Sequence, residues 1–211
     1  MSTASAKSAS ARRLEILEAA LRLLAEEGYA GASLRKLAKR LGIAQPSLYH
    51  YFTTKEDLVE QVLAYYAGQM YSALPGGMPT ALAQIPRFIA RTTIATYDRP
   101  VHPLFVRVAV SVSRINPRFG TVMRRVFVDN ANWGIQQIMH PFVQAGEIDE
   151  ADAHDLVRML INAIALRLIE DRVMFAEQEP GPDFDRFVDF VVGAGERWIE
   201  GLPSRLDPSI D

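Results

Sequence analysis

Between positions 45 and 55 the chain reads QPSLYHYFTTK, which sets Gln45, Ser47, Tyr49, His50, Tyr51 and Lys55 within eleven residues. Together these side chains offer many hydrogen-bond donors and acceptors on stiff aromatic supports, with one cation beside them. Groups of this kind suit the reading of base edges in a DNA groove, where lysine and hydroxyl groups hold the phosphates. They also suit a half-buried aromatic cluster; Phe52 fits that role best, and Tyr49 and Tyr51 fit either. Bond-making chemistry has no comparable candidate. No Gly-rich phosphate loop or nucleophile elbow is present, and GAGE at 193–196 lies inside a helical pattern. The four histidines, His50, His102, His140 and His154, show no metal-type pairing, and the absence of Cys removes disulfides, thiolate zinc sites and a Cys nucleophile. No catalytic residue, metal ligand or cofactor is assigned, and the chain is read as a non-enzyme.

The elements that must position the cluster are helices. Apolar residues recur every three or four positions, nothing alternates as a strand would, and no repeat is evident, so the class is all-α with about nine helices. After a Ser/Ala-rich tail at 1–10, a first helix spans 11–27 with Leu14, Leu17, Leu21 and Leu24 on one face and Gly28 as its stop. Ser33 caps a second helix that ends at Leu41, and Gly42 supplies the tight turn. A short third helix covers 45–51 with Pro46 in its first turn, although Ala44 is a poor cap. Leu37, Leu41, Ile43 and Leu48 form the shared contact, and Ala38 lets the helices cross closely. A fourth helix starts at Thr54, with Asp57 in an approximate capping box, and runs to Ser72. Five more are expected at 80–97, 101–114, 118–145, 150–178 and 184–200. Gly146 ends one of them, Asp149 and Asp183 cap others, and Pro86, Pro103 and Pro141 bend or restart their helices.

Charge is uneven. Residues 1–55 hold nine Lys/Arg against four Glu, a net of +5, and the remainder is net −7. A basic head on an acidic body points to a polyanion at the head alone. The longest apolar run, MLINAIALRLI, holds Asn162 and Arg167 and falls short of the ~20 residues that span a bilayer. With no apolar run at the N-terminus either, a cytoplasmic protein without membrane contact is expected.

Residues 16–63, with the order G-Y-x-G-x-S, L-A-x-x-L-G-I and S-L-Y-x-Y-F-x-x-K-E-D-L, closely resemble the N-terminal domain of TetR-family transcriptional regulators. The resemblance implies a helix-turn-helix head at 11–55 and a ligand-binding and dimerisation body at 56–211. It implies base contacts from Arg35, Gln45, Pro46 and Ser47, and backbone or groove contacts from Ser33, Tyr49, His50, Tyr51 and Lys55 to double-stranded operator DNA. A cation at the start of the fourth helix suits a phosphate physically. Ala44 stands where a capping Ser is common, so the operator sequence does not carry over. A head that binds a protein instead of DNA, and an activator in place of a repressor, are the other readings.

In the body, Phe119, Met123, Val126, Asn130, Trp133 and Gln137 form one stripe, with two polar residues that either bond a partner or reach water. The helix at 150–178 is apolar nearly all round, and the body alone lacks material to cover it. A second copy of the chain would complete it through Leu160, Ile164, Leu168, Phe187, Phe190, Val191, Ala194 and Trp198, with Gly193 and Gly195 allowing close approach. The resemblance agrees, since the family's homodimers join through their last two long helices. It also implies a small-molecule effector among the middle helices, for which Phe88, Thr92, Phe105, Asn130, Trp133 and Asn162 are candidate lining residues, each with plain core as its alternative. Arg91 and Arg107 are either holders of an anionic group or solvated surface.

Overall fold

A computed structural model describes residues 3–70, 77–175 and 181–202, and every regular element among them is helical. The first helix, α1, runs Thr3–Gly31 and begins well before position 11, because no Gly or Pro interrupts the Ser/Ala run; the expected tail is helical from Thr3. Gly28 breaks it as anticipated, with φ at 68°, a value that costs a residue with a Cβ. Then follow α2 (Leu34–Leu41), α3 (Gln45–Leu48), α4 (Lys55–Met70), α5 (Ile85–Tyr97), α6 (Val101–Val112), α7 (Pro117–Arg124), α8 (Ala131–Gln144), α9 (Glu150–Ile169) and α10 (Phe184–Glu200). Positions 71–72, expected to finish the fourth helix, lie outside the described residues, as do 74–76 of the LPGGMP break and 176–178.

Ten helices replace the nine expected because 118–145 is not continuous. Residues Arg125–Asn130 form a π-helical segment between α7 and α8. Each wide turn takes in an extra residue, so the face on one side does not continue on the other. Phe119 is buried while Gln137, expected in phase with it, is exposed. The side chains of Asn130 and Trp133 lie outside what is described. A second π segment, Glu170–Met174, ends α9. Gly146 does end α8, with φ at 73°, and Asp149 caps α9 by accepting from the Asp152 N–H at 2.8 Å. Asp183 precedes α10 without making a side-chain cap. Pro86 and Pro103 occupy first turns, where a missing N–H costs little, whereas Pro141 sits inside α8.

The chain forms two compact units. One comprises Met1–Met70 with Leu104–Val126, the other Tyr71–Pro103 with Phe127–Asp211. The first therefore holds the proposed head together with α4, most of α6, and α7. Its core includes Leu17, Leu21, Leu37, Leu48, Phe52 and Phe105, all essentially fully buried. In the second unit α9 packs against α5, α8 and α10. These cover more of α9 than its all-round apolarity suggested: Leu160, Ile164 and Leu168 are fully buried within the chain itself, and Val191 of α10 nearly so. Gly195 permits that approach, since a Cβ there would meet Leu160 and Pro86 at 3.2 Å. Among the apolar residues left outside are Met159 and Leu166 on α9, with Phe190 and Trp198 on α10.

Gly42, with φ at 64° and ψ at 31°, closes α2 in the left-handed region, and a Cβ there would meet nothing within 4 Å. Gly42→Ala should therefore cost about 1–2 kcal/mol from backbone strain alone. Gly42→Asn should cost less, as read from urea unfolding midpoints at unchanged m.

A candidate nucleic-acid interface

The site is built by α2, α3 and the first turn of α4. Ser33 starts it: its Oγ accepts from the Lys36 N–H at 3.2 Å and satisfies one of the open donors of α2. At the other end the Ile43 N–H donates to the Ala38 carbonyl at 3.1 Å and the Gly42 N–H to Lys39 at 3.2 Å. This nested pair is the Schellman arrangement, which requires the left-handed residue that Gly42 provides. It turns the chain so that α3 lies across α2 with Leu37 and Leu48 fully buried between them.

Regular α-helical structure ends at Leu48, three residues before the expected 51. The Tyr49 N–H bonds the Pro46 carbonyl at 3.2 Å and the Tyr51 N–H bonds Leu48 at 2.9 Å, so the last turn is tightened. Phe52 is fully buried and holds the turn inward, which settles its role as core. Pro46, Tyr49 and His50 are exposed, Tyr49 to 49% of its surface, and Gln45, Ser47 and Tyr51 are partly exposed. Gln45 donates through Nε2 to the Tyr49 hydroxyl at 3.2 Å, which steadies two of the outward groups against each other. Arg35 and Lys39 are exposed on α2. Lys36 and Arg40 are instead engaged by Glu27 and Glu26 of α1, so part of the basic excess is tied down internally.

The start of α4 is more tightly held than its sequence suggested. Asp57 donates its N–H to Thr54 Oγ1 at 3.0 Å, while its carboxylate accepts from the Thr53 N–H at 2.8 Å. Gln61 first, then the Thr53 groups, hold that carboxyl below its usual range. Lys55 Nζ donates to the Tyr29 carbonyl and lies 4.0 Å from the centre of the Tyr29 ring. The Tyr29 hydroxyl donates to Glu56 Oε1 at 2.6 Å, and its ring meets Phe119 of α7 edge-on at 5.7 Å between centroids. Burial, reinforced by Glu56, pushes the Tyr29 hydroxyl up to about 12; burial also lowers the Lys55 ammonium. The Tyr29 hydrogen bond is the main reason that the Glu56 carboxyl lies below its ordinary value. Neither Tyr29 nor Glu56 was singled out from the sequence. The only signal was that Tyr29 follows the glycine that breaks α1, and its partners lie 26 and 27 residues away.

The effector candidates that are described each have their own surroundings within their unit. Phe88 borders an open groove of about 690 Å³ between α5 and α10, together with Arg91, Ile94, Val188 and Val192. Thr92 donates to the Phe88 carbonyl at 2.8 Å, a bond within its own helix. Phe105 is fully buried in the first unit, where its ring lies 6.1 Å from that of Tyr66. Asn162 is exposed on α9, because the apolar stripes on either side of it turn inward. A second groove, of about 680 Å³ between α8 and α9, is lined by residues not anticipated, among them Met139, Val143 and His154. Arg107 is exposed and donates to the Ala25 carbonyl at 3.2 Å.

Residues 16–62 match the family model for bacterial regulatory proteins of the tetR family. The transcriptional repressor KstR2 of Rhodococcus jostii is 37% identical over 62 residues, a segment that spans 29% of this chain and only 30% of that protein. An uncharacterized HTH-type transcriptional regulator of Mycobacterium bovis, Mb1581, is 31% identical over 150 residues, which is 69% of this chain and 70% of the relative. The chain belongs to the TetR family. The fold agrees: the Bacillus subtilis regulator FadR, solved in complex with stearoyl-CoA, superposes with a TM-score of 0.62 at 19% identity over 90% of this chain and 99% of its own.

All nine DNA-contact candidates of this TetR-family chain fall inside the matched segment, and so do Tyr29 and Glu56. The effector and dimer candidates fall outside it. No helix among the described residues is long and apolar enough to cross a membrane.

The Tyr29–Glu56 bond carries a pH signature. A carboxyl held low in the folded state contributes stability above its unfolded value, about 4.5, and that share is lost as pH falls through the lower folded value. Tyr29→Phe should therefore unfold about 1 kcal/mol more easily at pH 7, the scale of one such hydrogen bond. The difference should shrink at low pH once Glu56 is protonated, because a neutral carboxyl is the weaker acceptor. Urea titrations of both proteins between pH 3 and 7 measure it.

Proposed function

We propose that the chain is a homodimeric DNA-binding regulator, a repressor that a small-molecule inducer releases from a near-palindromic operator. The observation that carries this is the surface of α3. Leu48 and Phe52 anchor it from behind, which leaves Gln45, Pro46, Ser47, Tyr49 and His50 on the outer side, while Arg35 and Lys39 of α2 are exposed as well. A short helix held in this way presents side chains to base edges in the major groove, and flanking cations and hydroxyls set the register on the phosphates. KstR2 is named a repressor, and that name supports repression here. DNA as the target also supports a cytoplasmic location.

Two heads at a fixed spacing require a symmetric partner. The exposed apolar residues of α9 and α10 supply the face. Leu166 is 57% exposed and Phe190 67%, alongside Met159 and Trp198, in an element pair whose other side is already a packed core. Phe187 and Ala194 border this face at intermediate exposure, whereas Leu160, Ile164, Leu168 and Val191 support it from beneath. The effector is proposed to bind in the second unit. Support comes from the grooves along α5–α10 and α8–α9, and from the ligand-bound state of FadR. Its action is a coupling between sites, whose size equals the effector's preference for the DNA-free conformation.

Two outcomes test the head. Tyr49→Ala should weaken binding to a duplex selected from a random pool by about tenfold at unchanged melting temperature, and Gln45→Ala should change the preferred base at its position more than overall affinity. Fluorescence anisotropy and repeated selection with each variant measure these effects. Unchanged binding and preference in both would remove the recognition surface from α3. For the body, Phe190→Asp should convert the dimer to monomer in sedimentation equilibrium, because it places a charge in the centre of the apolar face. A dimer that survives it, and survives Leu166→Asp too, is held elsewhere.

A further inference from the structure

Lys55 is a groove-contact residue only if its ammonium is in reach of a phosphate, and a lysine at a helix start is free to point in many directions. Tyr29 removes that freedom in this chain. Its carbonyl accepts one N–H of the ammonium, and its ring lies under the charge at 4.0 Å. Its hydroxyl fixes the neighbouring Glu56 at 2.6 Å. The ring is itself held, because its edge meets the fully buried Phe119. Gly28 breaks α1 just before Tyr29 with φ at 68°, and the Tyr29 carbonyl belongs to the last four residues of α1, whose carbonyls have no partner further along the helix. Two of the three ammonium N–H bonds lie beyond the one on the Tyr29 carbonyl.

We propose that Tyr29 is a positioning residue for DNA binding, which holds the Lys55 ammonium and the first turn of α4 in the geometry that meets an operator phosphate. The inference rests on the DNA-binding reading of the head. Glu56 has a defined part in it: with its carboxylate bonded to the Tyr29 hydroxyl, it lies beside the cation without taking the N–H groups from a phosphate. A lysine held in place loses little freedom when it binds, so the contribution of Tyr29 appears through Lys55 and nowhere else.

The experiment compares Tyr29→Leu, Tyr29→Phe, Lys55→Ala and Tyr29→Leu/Lys55→Ala on the full-length protein. It uses a palindromic duplex selected on the wild type and measures affinity from 50 to 200 mM salt, with thermal melting to show that each variant is folded. Lys55→Ala should lower the slope of log affinity against log salt by about one, the loss of one phosphate contact. Tyr29→Leu should lose most of that slope and about tenfold in affinity, the scale of one long side chain immobilised on binding. Tyr29→Phe keeps the ring and carbonyl but frees Glu56 beside the cation, and should give a slope between those of the wild type and Tyr29→Leu. The double variant should bind no worse than Lys55→Ala alone.

A Tyr29→Leu protein with weaker binding but an unchanged slope, or an additive double variant, would reduce Tyr29 to a structural residue and overturn the proposal. Tighter binding by Tyr29→Leu would overturn it as well, since the ring would then withhold the amine from DNA. If Gln45→Ala and Tyr49→Ala impair binding while every Lys55 and Tyr29 variant behaves as wild type, the proposal falls and the reading of the head stands. If selection recovers no duplex at all, that reading fails and takes the proposal with it.

Discussion

A helix of four residues cannot hold itself together, because it spends nucleation entropy and completes almost no hydrogen bonds of its own. The α3 segment exists because Leu48 and Phe52, both fully inaccessible, pin it to α2 and the rest of the first unit. The Schellman turn at Gly42 fixes the angle at which it arrives. What depends on that anchoring is the whole outer surface of the segment. Its side chains point outward because the one between them, Leu48, points in. The turn that follows then carries the chain straight into the capped start of α4, so that the outward groups of α3 and those of the first turn of α4 belong to one continuous strip.

Much of this was legible from local signals. Ser33, Gly42, Gly28, Gly146 and Asp149 each act through residues no more than five positions away, and each behaves as its type predicts. The helical class and the order of the elements follow from apolar spacing, which is likewise local. What could not be read depends on distant partners or on a change of helical period. The π segments at Arg125–Asn130 and Glu170–Met174 have no signature residue, and the first of them broke a stripe that looked continuous. Asp183 looks like Asp149 in sequence, yet makes no cap where its neighbour in type does. The inward face of α9 was assigned to a partner molecule because sequence alone does not say that α5, α8 and α10 converge on it.

The site divides in the same way. Exposure of Pro46, Tyr49 and His50 was deducible from the position of Leu48 in a short amphipathic turn. The engagement of Lys36 and Arg40 by α1 was not, and it qualifies the charge argument. A net positive head is a sum over residues, but paired cations act little at a distance, and four of the nine, Arg12, Arg22, Lys36 and Arg40, are paired with glutamates of α1. The aromatic seat of Lys55 was hidden for another reason. It joins residues brought together only when α1, α4 and α7 close on one another, and nothing in the spacing of a tyrosine after a glycine announces a lysine further along.

The separation of anchoring from display within α3 has a consequence for how such a protein changes over time. Substitutions on an exposed face away from caps and cores usually shift folding free energy by no more than about 0.5 kcal/mol. Gln45, Pro46, Ser47 and His50 are therefore nearly unconstrained by the need to fold, while Leu37, Leu48 and Phe52 are held by it. A lineage carrying this scaffold can drift or be selected at the outward positions one residue at a time and remain a folded protein throughout. Duplicated copies are thereby free to diverge in what they recognise long before they diverge in shape.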